Sequence, residues 1–202
     1  MLFTDDETAL LTDAQFFRKK AAITSKIRAM LEATRDALQQ ELAGLSLIVP
    51  PDFDPRIHQL VKGEHLEDFP YQYLDCPKHF SGSNTFTFRT LVWWGHHVVC
   101  ALLLEGSEIG RYKRQILGRF HQLAGRELEL SLAPSLWEWK RGEGYTLPIT
   151  HDRKAQVAAV LAERSFLKIV RSVPFEDPRV RDGQLARMAC ETFRTLHPVF
   201  VP

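Results

Sequence analysis

TFTFRTLVWWGHHVVCALLL, residues 85–104, is the stretch that decides the fold. Its first half, Thr85 to Trp94, is dense in β-branched and aromatic residues, which favour a pleated, partly buried strand. Gly95 supplies a bend. His97 to Leu104 then runs almost without a polar residue, the mark of a strand covered on both faces and central in its sheet. Two strands joined by a tight turn, with no helix between them, read as an antiparallel hairpin.

Upstream, residues 45 to 70 carry Pro50, Pro51, Pro55 and Pro70 and read as turns and short extended pieces. Tyr71 to Leu74 reads as a short aromatic strand. Before them, Asp13 to Leu42 reads as a long helix. Thr12 and Gln15 suggest a capping box, Phe16, Ile23, Ile27, Met30 and Ala37 draw an apolar stripe that Thr34 interrupts, and Gly44 ends it. Residues 1–11 are an N-terminal extension.

Downstream, Ile109 to Ala124 reads as a helix with Ile109, Tyr112, Ile116, Phe120 and Leu123 on one face. Glu127 to Leu132 alternates strictly and reads as a half-buried strand. Leu136 to Lys140, LWEWK, alternates too, with Trp137 and Trp139 on one face. Thr150 caps a helix to about Arg164, Phe166 to Val173 is the last strand, and Leu185 to Leu196 is a closing helix stopped by Pro198. Several strands follow one another with no helix between. The expected architecture is therefore a single α+β domain over residues 1–202, an antiparallel or mixed sheet packed against a long N-terminal helix and three shorter ones.

Composition narrows the function classes. Apolar residues make up 45% and charged residues 25%, an ordinary globular balance with no sign of extended disorder. The net charge of +1 gives no global attraction to nucleic acid or anionic membrane. Arg111, Lys113, Arg114, Arg119 and His121 do share the polar side of one helix, but Glu105 and Glu108 open the same region, and a solvated face explains it. Cys76, Cys100 and Cys190 are widely spaced and odd in number, so they read as reduced thiols, not a disulfide framework. The acidic start has no signal-peptide pattern. The longest near-apolar run, Leu91 to Leu104, is too short to span a bilayer, so a cytoplasmic location is expected by exclusion.

The strand pair RTLVWWGHHVVCALLLEG, the segment LWEWK with the Thr150 helix and FLKIVRSV, and the closing LARMACETFRTLHPVF together resemble an uncharacterised bacterial family, the YktB-like proteins. The order of elements agrees over most of the chain while identities are sparse, and KGEHLEDFPYQYLDCPKHF departs from the pattern. The resemblance implies an α+β fold and no activity or residue role.

Chemistry-bearing residues concentrate between Tyr71 and His97. Cys76 and His79 form C-x-x-H, half of a zinc motif with no second half, so no metal site and no cofactor is expected. His96 and Cys100, four residues apart on a strand, would sit roughly 13 Å from each other, too far to share an ion. Phosphate loops, nucleophile elbows and H-E-x-x-H are absent. Tyr71, Asp75, His79, Arg89, Trp93 and His96 are the candidate binding residues, because aromatic, cationic and anionic groups exceed what strand packing needs there. The leading expectation is a non-catalytic cytosolic module that binds a protein or a small molecule. The alternative is an enzyme whose pocket gathers Asp75, His79, Arg89 and His96, groups able to move protons or hold an anion. Neither the ligand nor the oligomeric state is legible.

Overall fold

The hairpin forms as its alternation requires. Asn84–Trp93 (β3) and His97–Glu105 (β4) pair antiparallel over their whole length, from Thr85 opposite Glu105 to Trp93 opposite His97. The computed structural model describes residues 2–202. Around the hairpin lie Gln59–Leu66 (β1), Phe69–Ser81 (β2), Glu129–Ser131 (β5), Thr146–Pro148 (β6) and Phe166–Val173 (β7). They make one seven-stranded sheet in the order β1-β2-β3-β4-β7-β5-β6, with every pairing antiparallel. β4, read from sequence as central, is the fourth of the seven.

The helices cover one face. Ala14–Leu42 (α2) lies against β2 and against Leu185–Thr195 (α7). Ile109–Gly118 (α3) meets the closing turn His197–Phe200 (α8), and Lys154–Glu163 (α5) completes the layer after a 3-10 turn at His151–Arg153. This face holds the main core, with Leu74, Phe86, Phe88, Cys100, Leu102 and Leu104 from the sheet against Leu31, Leu38, Tyr112, Val157 and Phe193 from the helices. All three cysteines are free and buried. Asp5–Thr12 (α1), Phe120–Leu123 (α4) and Pro178–Arg181 (α6) are short accessory helices. No helix among the described residues is long and apolar enough to cross a membrane.

Several local expectations need correction. The N-terminal extension is helical over α1, which a Thr4–Glu7 capping box starts. Asp13, not Thr12, caps α2, accepting from the Phe16 amide at 2.8 Å. The buried stripe of α2 is Ile27, Leu31, Thr34, Leu38 and Leu42, while Phe16 and Ile23 are exposed. Thr34 does not interrupt it: the hydroxyl donates to the Met30 carbonyl at 2.7 Å and buries its methyl. Residues 59–66 form an edge strand, and Pro70 and Pro77 lie inside β2 instead of in a loop. The helix expected over 109–124 breaks at Arg119, whose guanidinium donates to the Val201 carbonyl. Thr150 makes no cap hydrogen bond, and the closing helix ends at Thr195, ahead of Pro198, which opens the short α8.

LWEWK is not a strand. Two cations take the place of a neighbouring strand, one holding carbonyls just ahead of the segment and the other holding two of its own. Arg164 donates to the carbonyls of Leu132 and Ala133, at 2.5 and 2.7 Å. Lys168 donates to those of Leu136 (3.1 Å) and Glu138. The segment is thereby laid as a loop, residues 132–145, across the sheet face that the helices leave open. Beneath it a second core gathers Leu91, Trp93, Val99, Leu103, Leu136, Trp139 and Val170.

Candidate functional site

The side chains of β2 and β3 that point away from the helices build this second face. Tyr71, Tyr73 and Asp75 alternate along β2, and Arg89, Leu91 and Trp93 lie opposite them on β3. Asp75 and Arg89 form a bidentate ion pair, 2.7 and 2.8 Å, with 1% and 7% of the two side chains exposed. The Arg89 guanidinium lies 3.7 Å over the Tyr73 ring, with Trp137 and Trp139 beyond it at 5.4 and 5.5 Å. Burial pushes the Asp75 carboxyl above its ordinary range, and Arg89 pulls it back only in part. Tyr71 stacks parallel to Tyr73 at 6.1 Å.

At the far end of the same face, the β3–β4 turn carries Trp94, Gly95 and His96. Gly95 has φ +73°, and a Cβ there would stand 2.6 Å from the Phe69 ring. Only glycine lets the turn close over that ring. The closed turn lays His96 flat on Trp93, ring centroids 3.7 Å apart and planes 17° apart, while the Trp93 indole N–H donates to the Leu66 carbonyl at 3.0 Å.

A cleft of about 510 Å³ opens between this turn and the 132–145 loop. Trp93, Trp139 and Tyr145 supply its aromatic walls, and His96, His97, Lys140 and Arg141 its basic groups, with Glu67 and Glu129 at the edge. Arg141 clamps Glu129 through Nε and Nη2, at 2.8 and 3.1 Å, which leaves Nη1 without a partner among the described residues. His97 is held below its ordinary pKa of 6.5, first by burial and then by the nearby Arg141 and His96, against a weaker opposite pull from Glu129. Behind the cleft, Lys168 is buried, rests 4.6 Å from the Trp139 ring, and has its pKa depressed by burial to about 8.

The expected site residues therefore divide. Tyr71, Asp75, Arg89, Trp93 and His96 share one face, but only Trp93 and His96 line the cleft; Asp75 and Arg89 are consumed by each other. His79 lies on the helix side, 8% exposed, near Phe53 at 6.0 Å, with Nε2 unpartnered. Asp75, His79, Arg89 and His96 thus form no common pocket, which corrects the catalytic alternative. The cause is a bulge in β2: Asp75 faces Arg89 and Lys78 faces Thr87, so β2 spends one residue more than β3 and the alternation flips. Cys76 faces the main core, its thiol pushed up to about 12 by burial. Among the described residues no group of three His, Cys, Asp or Glu side chains is placed to hold a metal.

His97, Trp139, Lys140, Arg141, Tyr145 and Lys168 were not among the expected residues. The readable signal was W-x-W-K-R followed by Gly142 and Gly144, an aromatic and basic run that ends in turn residues. Comparison with family models, with curated proteins and with solved structures found no match for this chain.

Proposed function

We propose that this protein is a non-catalytic binding module for a small anion that carries a planar ring. One observation carries the reading: an aromatic floor and four basic side chains, His96, His97, Lys140 and Arg141, converge on one open cleft. The anion would meet the free Nη1 of Arg141 and the Lys140 ammonium, and the ring would lie against Trp139 and Tyr145. A neutral His97 would take up a proton as the ligand brings negative charge beside it. Its pKa in the free protein lies below 6.5, so binding should tighten as pH falls toward and through that value.

Calorimetric titration with phenyl sulfate, whose charge does not change over this range, tests the reading. We expect phenyl sulfate to bind more tightly than inorganic sulfate. The Lys140→Ala/Arg141→Ala double variant should lose at least about tenfold in affinity. Affinity should rise between about pH 7.5 and 6, with proton uptake visible as a buffer-dependent heat. Equal affinity for the ringed and ringless ions, or unchanged binding by the double variant, would remove the proposal, as would no binding of phenyl sulfate at all.

A further inference from the structure

We infer that residues 2–28 are a docking surface for a second copy of this chain. Of the twelve large apolar side chains exposed among the described residues, seven lie between Leu2 and Ile23: Leu2, Phe3, Leu10, Leu11, Phe16, Phe17 and Ile23. That concentration exceeds ordinary surface scatter. α1 buries no residue at all, and an eight-residue helix without tertiary packing is marginal in water. Over the first ten residues of α2, a run of about 15 Å, every residue but Lys20 is exposed.

Charge says what covers this arm. Residues 2–13 hold Asp5, Asp6, Glu7 and Asp13 and no base; residues 14–28 hold Arg18, Lys19, Lys20, Lys26 and Arg28 and no acid. Lys20 pairs with Glu64 and Arg28 with Glu32, while Arg18, Lys19 and Lys26 have no carboxylate partner among the described residues. The two halves cannot neutralise each other within one chain. Only Asp13 separates α1 from α2, and folding a helix back on its neighbour takes a loop of roughly two to five residues. Two copies meeting antiparallel about a two-fold axis resolve this. The acidic helix of each then lies along the basic start of the other's α2, with Leu10 and Leu11 against Phe16 and Phe17. The line of Phe16, Ile23 and Ile27 leads on into an apolar groove of about 240 Å³ floored by Trp94, Gly95 and Phe175, which extends the seat for the second copy.

Sedimentation velocity on the full chain tests this. A dimer is expected at low salt, weakened at least about tenfold at high salt by screening. The Asp5→Lys/Asp6→Lys variant and the Lys19→Glu/Lys26→Glu variant should each dissociate by a similar factor, and an equimolar mixture of the two should pair again. Leu10→Ser/Leu11→Ser should be monomeric and should melt where the wild type does at concentrations too low for it to dimerise, because both side chains are exposed in the free chain. A wild-type monomer at about 100 μM in low salt would overturn the inference, whether or not that monomer adsorbs to anionic vesicles. So would a dimer that survives the leucine substitutions, or charge-reversed variants that fail to pair.

Discussion

Arg89→Met should destabilise the protein by about 3–5 kcal/mol at neutral pH, read as a drop in urea-unfolding free energy. The effect comes from what is left behind. Arg89 donates both hydrogen bonds that satisfy Asp75, and the aspartate is fully buried, out of reach of solvent that could replace them. Methionine fills much of the volume beside Tyr73 but leaves the carboxylate unpaired. Burial already holds the Asp75 carboxyl above its ordinary range, and loss of the guanidinium sends it higher. A carboxyl raised in the folded state binds more protons folded than unfolded. The variant should therefore be most stable in acid and lose stability as pH rises through the ordinary aspartate range toward neutrality. Asp75→Leu/Arg89→Met, which removes both charges, should recover most of the loss. A single variant within about 1 kcal/mol of wild type would show that the pair is not the buried lock described above.

The hairpin, the last strand and the closing helix were legible because each obeys one period over many residues. Asn84 to Glu105 alternates or runs apolar without a break, and Phe166 to Val173 begins and ends where its pattern does. The site was less legible, because one local event inverted the pattern there. Asp75 and His79 are four residues apart and share a face in any regular strand; the bulge between Asp75 and Lys78 sends them to opposite faces. The LWEWK segment failed for the converse reason. It alternates like a strand but pairs with none: Lys168 takes its Leu136 and Glu138 carbonyls, and Arg164 takes those of Leu132 and Ala133 just before it. Trp137 and Trp139, equivalent by alternation, end up 51% and 7% exposed. Pairings set by side chains 30 residues away leave no trace in local periodicity. One clue did exist: Lys168 is a lone cation inside the otherwise apolar run FLKIV, and a cation in a buried strand must be held by something.

Lys168 yields the second large effect, a pH dependence of stability that one substitution should abolish. Its Nζ is bound by two carbonyls and the Trp139 ring, with no carboxylate in contact, and burial lowers its pKa from 10.5 to about 8. Between these values the unfolded chain holds a proton that the folded chain has released, so stability rises with pH across the window and is flat below it. The full swing is about 3 kcal/mol. Other buried groups act against it at the upper end. The Cys76 and Cys100 thiols, pushed up to about 12, keep their protons when folded and lower stability as pH rises above about 9. The raw curve therefore mixes opposite slopes, and the difference between wild type and Lys168→Met isolates the lysine. At pH 7 methionine escapes the penalty of a buried ammonium but leaves the Leu136 and Glu138 carbonyls without a donor, so the two proteins should lie within about 2 kcal/mol of each other. From pH 8 upward the balance should shift toward wild type by about 1.4 kcal/mol per pH unit until near pH 10. Freed from Lys168, the loop that carries Trp139, Lys140 and Arg141 should also exchange its amide hydrogens faster in the variant. A stability difference that stays constant from pH 7 to 10 would mean that Lys168 keeps its proton throughout, and that the loop over the cleft is anchored by something other than a buried, easily discharged cation.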